Sequence, residues 1–257
     1  LAARTDTSWV SITAGGTEVV GFTRPRSPEQ RDALLLDRLP RVTNVTSLTA
    51  HAILHRFAGS GEKEWSAFGD PLERHQIDAL IAGRPPRPAG VITNRESRLD
   101  GARLEPDDEQ LAAALHDDGR ISYAQLAAVT GWSAAQVARR LEGLFASGAL
   151  YVDVETATEL LGFSAPALLW LTVLPSQLVA AAERLADAPE TAFVAAISGP
   201  ANLHATVACR DTHHLYEFLV NDVGAIPAVQ SVETSPMARR VKQAGSIMRG
   251  ARLPDPV

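Results

Sequence analysis

The chain has 257 residues, 46% apolar and 21% charged, with a net charge of −6. That composition is globular rather than disordered, the length implies more than one domain, and the acidic balance argues against a polybasic nucleic-acid coat. The best apolar run, Ala165 to Val173, falls well short of the roughly 18 residues of a membrane span, and no basic-then-apolar leader opens the chain.

A single cysteine, Cys209, excludes an internal disulfide framework and any cysteine-based zinc finger, and the expected compartment is the cytoplasm. Only two of the 24 basic residues are lysines, Lys63 and Lys242, which with the abundance of alanine reflects GC-rich coding. The chain opens at Leu1 rather than a methionine, and a missing N-terminal portion is expected.

In chain order, Trp9-Val-Ser-Ile-Thr-Ala-Gly-Gly-Thr-Glu-Val-Val-Gly-Phe-Thr23 predicts two strands around a glycine turn. A helical stretch follows, then a strand over residues 39–47, Leu39-Pro-Arg-Val-Thr-Asn-Val-Thr-Ser47. Residues 59–103 read as a linker. Leu72, Ile77, Leu80 and Ile81 suggest a short helix, and Gly83-Arg-Pro-Pro-Arg-Pro-Ala-Gly90 sustains neither helix nor central strand. Trp65 and Phe68 are expected to pack on a neighbouring domain.

Residues 104–153 carry three helix-start patterns in succession, each a cap residue followed three positions later by Gln. Asp107-Asp-Glu-Gln110 opens a helix bearing Leu111, Ala114 and Leu115 and ended by Gly119. Ser122-Tyr-Ala-Gln125 opens a second, bearing Leu126 and Val129. Gly131 then allows a tight turn into a third, opened by Ser133-Ala-Ala-Gln136 and carrying Val137, Leu141 and Leu144 on one face, before Gly148 and a strand over residues 150–154. Three short helices with a tight second turn make a helix-turn-helix whose third helix enters the major groove. Its outward residues are expected to be Ser133, Ala134, Gln136, Arg139 and Arg140. Glutamine can address adenine, arginine guanine or phosphate, and alanine a thymine methyl. Arg120 and Tyr123 fall near the DNA backbone. The segment holds three arginines against eight acids, most of them on the first helix, so helices that serve only as a scaffold remain an alternative.

After it, Ala167-Leu-Leu-Trp-Leu-Thr-Val-Leu174 predicts a buried strand and Leu178, Ala181, Ala182 and Leu185 a helical face. Strands over 193–198 and 203–208 flank the turn Gly199-Pro200-Ala201-Asn202. Thr212 caps a helix with Leu215, Phe218 and Leu219, and a last strand spans 229–234. The order β-α-β-β-α-β is the ferredoxin-like arrangement. The segment from Trp9 repeats its second half, with a short length difference placed near the helix. The sheet face without helices must be covered, and a second copy of the sheet is the simple cover.

The residues from 104 onward resemble the Lrp/AsnC (feast/famine) transcription regulators. The likeness lies in Leu104-Glu-Pro-Asp-Asp-Glu-Gln-Leu111, Asp118-Gly-Arg-Ile-Ser-Tyr-Ala-Gln-Leu-Ala127, Gly131-Trp-Ser-Ala-Ala-Gln-Val-Ala-Arg-Arg-Leu-Glu-Gly-Leu144 and Ser147-Gly-Ala-Leu150. It covers about residues 104–245, with the repeat extending it to about residue 5. The expected class is α+β, a winged-type helix-turn-helix joined to one complete and one partial ferredoxin-like domain. The expected division is 1–58 (partial sheet domain), 59–103 (linker), 104–153 (helix-turn-helix), 154–245 (complete sheet domain) and 246–257 (tail).

The resemblance implies a regulator of double-stranded DNA, not an enzyme. It implies homo-oligomers through the sheet domains and a small effector such as an amino acid near the β2–β3 turn, here Gly199, Pro200, Ala201 and Asn202. Asn202 stands where the family usually has an acid, and a plain hairpin turn is the competing reading. No cofactor, metal or membrane contact is expected. His51 and His55 fall on a strand, His213 and His214 at a solvated helix start, and His204 on a strand. Arg239 and Arg240 either extend the last strand or belong, with Lys242, Arg249 and Arg252, to a solvated basic tail. Two further readings stay open: a sirohaem-decarboxylase-like enzyme using His204 and Arg210, and an assembly or effector-binding module without DNA binding.

Overall fold

A computed structural model describes residues 1–25, 27–59, 73–82, 104–147, 149–150 and 157–250. The first half contributes β1 (Thr7–Thr13), a 3-10 turn (Ala14–Gly16), β2 (Glu18–Thr23), α1 (Pro28–Asp32) with a π-helical continuation (Ala33–Arg38), and β3 (Ile53–Ala58). Then come α2 (Arg74–Ala82), α3 (Glu109–Asp117), α4 (Tyr123–Thr130) and α5 (Ala134–Ser147). The last part holds β4 (Ala165–Val173), α6 (Leu178–Asp187), β5 (Thr191–Ile197), β6 (Leu203–Cys209), α7 (Thr212–Glu217) with a π-helical continuation (Phe218–Val223), β7 (Val229–Gln243) and β8 (Ser246–Ile247). They form two compact units, one of residues 1–67 with 155–254, the other built on 68–154. Among the described residues no helix is long and apolar enough to cross a membrane.

In the sheet unit the expected β-α-β-β-α-β is complete, with the antiparallel order β7-β4-β6-β5. Alternation along the strands sends Leu169, Leu171 and Val173 of β4 and Leu203, Ala205 and Val207 of β6 to one face. There they meet Ala181, Ala182 and Leu185 of α6 and Leu215, Phe218 and Val223 from α7 and its continuation. Helices of ten and six residues are too short to persist alone. Burying the leucine, valine and phenylalanine side chains among these, at roughly 1.5–3 kcal/mol each, holds them in place.

The other face carries Trp170 and His204, and the first half of the chain closes it. Phe22 of β2 lies edge-on to Phe193 at 5.4 Å between ring centroids and 5.6 Å from the His204 ring, which in turn lies tilted against Trp170 at 4.3 Å. The cover reaches the sheet by strand pairing at both ends. The hairpin β1–β2 joins through β1 to the far half of β7, and β3 pairs along β5, giving the order β2-β1-β7-β4-β6-β5-β3.

These two junctions are related by a pseudo-two-fold. Ile53, His55, Arg56 and Ala58 pair with Ile197, Ala196, Ala195 and Val194. Met237, Arg239, Arg240 and Lys242 pair with Thr13, Ile12, Ser11 and Val10. Every member of one set lies 184 positions from its counterpart in the other, and the bulges fall at the same steps. A guanidinium sits over an aromatic ring at each junction, Arg56 over Phe193 at 5.8 Å and Arg240 over Trp9 at 5.4 Å. The described residues of sequence segments 1–58 and 157–245 therefore share one unit, and their strands one sheet.

Several expectations change. The repeat offset is constant, so the length difference placed near the helix does not exist. The first half has no strand over residues 39–47, and its strand comes later, as β3. In the complete copy the corresponding stretch bonds to β4, and among the described residues the first half has no counterpart of β4 to bond. Asp211, not Thr212, caps α7, accepting from the His214 amide at 2.8 Å. His214 is not simply solvated: its Nδ1 accepts from the Arg210 amide (3.2 Å) and its Nε2 lies 3.0 Å from Glu190.

Arg240 and Lys242 belong to no solvated tail. Both are buried, Arg240 bonding Gln243 and Lys242 donating to the Arg4 carbonyl at 2.6 Å, while Arg249 is exposed and Arg252 lies outside the described residues. The helix predicted from Leu72, Ile77, Leu80 and Ile81 is present as α2. The predicted packing of Trp65 and Phe68, the segment 83–90 and the strand over 150–154 lie outside the described residues, apart from Leu150.

His204 reports on this closure. Neither ring nitrogen makes a well-formed hydrogen bond among the described residues, and burial, opposed in part by the Leu169 backbone and aided by His51 nearby, lowers its pKa to about 4. The folded state thus favours the neutral ring. Its contribution is present above the ordinary histidine pKa near 6.5 and is lost as pH falls toward 4. Over that window wild-type protein is expected to lose stability by up to about 3 kcal/mol more than His204→Leu. Urea midpoints at pH 7 and pH 4.5 check this, and equal losses in the two proteins would refute it.

Candidate nucleic-acid interface

Residues 104–150 fold around a small core of their own. Leu111, Leu126, Val137, Leu141 and Leu144 are buried, with Leu115, Ile121, Trp132 and Phe145 packed at its margin. The predicted face of α5 is therefore the buried one. Two of the three caps form as the sequence implies. The Ser122 amide donates to Gln125 Oε1 (3.0 Å) and the Gln125 amide to Ser122 Oγ (3.3 Å); Ser133 and Gln136 repeat this at 2.8 and 3.3 Å. The first cap lies two residues earlier than predicted. Pro106 opens a 3-10 turn over Pro106–Asp108, and Asp108 Oδ2 accepts from the Glu105 amide at 2.9 Å. Proline suits that first position because its missing N–H would have no helical partner. Helix α3 ends at Asp117 rather than Gly119, and Asp118 Oδ1 holds the Arg120 amide at 2.8 Å.

The turn between α4 and α5 is built on Gly131, at φ 73°. Its amide bonds Ala127 O at 2.9 Å, while Thr130 Oγ1 donates to Leu126 O and accepts from the Trp132 amide. A left-handed residue after a helix is where glycine avoids the steric cost of a Cβ.

The N-terminal turn of α5 is open to solvent: Ser133, Ala134, Gln136 and Arg139 are exposed, as are Arg120 and Tyr123. Arg140 is different. Predicted on the outward face, it is half-buried and turned to Asp108, donating from Nε to Oδ1 at 2.6 Å and from Nη2 to Oδ2 at 2.5 Å. The Arg140 guanidinium holds the Asp108 carboxyl below the usual carboxylate range against the opposing effect of burial. Gln136 commits its Oε1 to Ser133 and so presents its N–H groups outward.

In the sheet unit, the predicted effector turn is engaged by its own chain. The Asn202 amide group spans Val173, accepting from its N–H and donating to its carbonyl, each at 2.8 Å. Gly199, at φ 113°, lies so close to the His51 ring that a Cβ would come within 2.6 Å of Nδ1. The Ser198 amide and hydroxyl bond Ala52, and His51 Nδ1 lies 2.5 Å from the Ser198 carbonyl. Pro200 accepts from Thr172 Oγ1 (3.4 Å), and Ala201 is half-buried. No local signal marks residues 51–52 as reaching this turn, since they lie nearly 150 positions away. His204 and Arg210 are engaged separately, His204 among aromatic rings and Arg210 over Phe163.

A compact three-helix unit with an exposed N-terminal turn on its last helix defines a helix-turn-helix DNA-binding protein. The profile of the AsnC-type helix-turn-helix domain matches residues 106–144, and that of the Lrp/AsnC ligand binding domain matches residues 167–247. The chain is 26% identical over 133 residues to an uncharacterized HTH-type transcriptional regulator of Pyrococcus furiosus, covering 51% of this chain and 90% of that one. A second such regulator, of Pyrococcus abyssi, is 24% identical over 139 residues, covering 52% and 85%. Among solved structures, E. coli AsnC aligns with a TM-score of 0.48 and 21% identity over 58% of this chain and 99% of that one. The chain carries the two domains of Lrp/AsnC-type DNA-binding transcription regulators.

Gly131→Ala is expected to destabilise the helix-turn-helix unit by about 1 kcal/mol, since the left-handed backbone disfavours any Cβ although the space around it is open. Thermal melts of the whole chain check this, and unchanged melting of the helix-turn-helix unit would refute it.

Proposed function

We propose that the chain reads double-stranded DNA with the N-terminal turn of α5, through Ser133, Ala134, Gln136 and Arg139, with Arg120 and Tyr123 beside the phosphate backbone. The observation that carries this reading is the exposed, doubly capped start of α5 above a core that fixes its other face. The unit is acidic overall, so Arg139 and Arg120 supply the cationic contact and affinity falls steeply with salt. Gln136, with its oxygen spent on the cap, donates to acceptors in the groove such as purine N7. Such a regulator acts in the cytoplasm, where the DNA is.

The sheet unit is the effector-responsive part, and a small effector such as an amino acid engages the turn from Gly199 to Asn202. Because Asn202 is bonded to Val173 and Gly199 is held against His51, that effector displaces the His51–Ala52 segment or meets backbone groups rather than the Asn202 amide. Copies of the chain associate through the sheet unit, by surfaces other than the inner face that the chain closes itself.

Incubation of the whole chain with fragmented genomic DNA of its source, over a salt series, is expected to retain a small set of fragments with steeply salt-dependent affinity. Retention without sequence selection, or none at low salt, would sink the reading. Light scattering of the purified chain is expected to show a homo-oligomer; a monomer at all concentrations would remove association through the sheet unit.

A further inference from the structure

The helix-turn-helix contains an ion pair that a DNA-reading face does not require. Asp108 is 0% exposed and lies at the start of α3, 32 residues before Arg140 on α5. Both its oxygens are taken by the guanidinium, one by the Glu105 amide as well. Two parallel bonds between planar groups fix direction as well as distance. Adjacent helical residues point about 100° apart, so turning Arg140 to Asp108 also sets where Arg139 points. Arg139 is exposed and its side chain has no ion pair or hydrogen bond among the described residues. Arg140 keeps 39% of its side chain exposed, so the pair is only partly desolvated and adds little net stability, yet losing Arg140 would leave Asp108 a costly lone charge in the interior. One attested use of such a pair is to specify one arrangement over others.

We propose that Asp108 and Arg140 are a positioning pair: Arg140 touches no DNA, fixes the rotation of α5 about its axis, and leaves Arg139 as the one guanidinium of α5 presented to the duplex. This rests on the DNA-reading role given to α5 above. Three properties follow from it. Arg140 adds nothing to the count of neutralised phosphates. Asp108, despite its negative charge beside a DNA-binding helix, strengthens selective binding. Loss of either partner blurs the reading of bases before it weakens the grip on phosphates.

The test measures binding of the whole chain to two duplexes of equal length across a salt series, the tightest retained genomic fragment and a scrambled version of it. Arg139→Ala is expected to weaken both and to lower the salt slope by about 1. Arg140→Ala and Asp108→Asn are each expected to weaken the selected duplex roughly tenfold, the scale of one lost base contact. They leave the scrambled duplex and the slope unchanged. The double variant Asp108→Asn with Arg140→Ala is no worse than either alone, as for two residues acting as one. A slope lowered by Arg140→Ala, or selected binding kept or raised by Asp108→Asn, would overturn the proposal.

If either variant loses the melting transition of the unit, the wild-type arginine Nε–H resonances decide. The Arg139 signal moves and the Arg140 signal stays on adding the selected duplex; movement of both in like degree overturns the pair's role. Should the wild-type chain retain no DNA, the reading of α5 falls and the pair's role in it falls too. An altered Arg140 slope with wild-type binding intact defeats the pair's role alone.

Discussion

The sheet unit depends on one constraint: β4, β5 and β6 are apolar on both faces, and helices α6 and α7 cover only one of them. The uncovered face carries Trp170, His204 and Phe193, which water would meet at a large cost in apolar exposure. The chain meets the constraint with its own first half. Phe22 lies on the face, and β1 and β3 hold the cover by strand pairing at its two edges. Paired edges also remove the open hydrogen-bonding rows of β5 and the far half of β7 that would invite aggregation.

The pseudo-two-fold relation explains features that look unrelated along the sequence. Buried Arg240 and half-buried Arg56 are placed alike, each above an aromatic ring of the opposite half. Both helices following the hairpins, α1 and α7, pass into a π-helical continuation. A duplicated sequence kept the geometry of the junctions while its side chains diverged. At the covered turn it has put His51 and Ala52 of one half onto Ser198 and Gly199 of the other. That closure ties any response at the turn to the seating of the first half, since the same bonds serve both.

The helix-turn-helix solves a different problem with the same economy of charge. Its acids concentrate at the start of α3, where they favour the positive end of the helix. Asp108, the one acid drawn inside among the described residues, is neutralised by Arg140. The remaining surface of α5 is small and weakly charged.

The sequence alone determined the local order of this protein. Capping pairs such as Ser122–Gln125 and Ser133–Gln136, the apolar spacing Val137, Leu141, Leu144 and the turn at Gly131 are short-range signals, and the helices formed where they pointed. The alternation in β4 to β6 likewise fixed the complete ferredoxin-like order. Tertiary structure decided what lies far apart in the chain. A strand forms only where a neighbour offers bonds, so the strand of the first half sits at β3 beside β5 and not at residues 39–47. A basic residue near a terminus is buried or solvated according to what packs on it, which moved Arg240 and Lys242 inside. Arg140 carried the same local signal as Arg139. Only the approach of Asp108 from 32 residues away turned one of them inward and left the other exposed, because charge pairing depends on distance in space and has no period along the sequence.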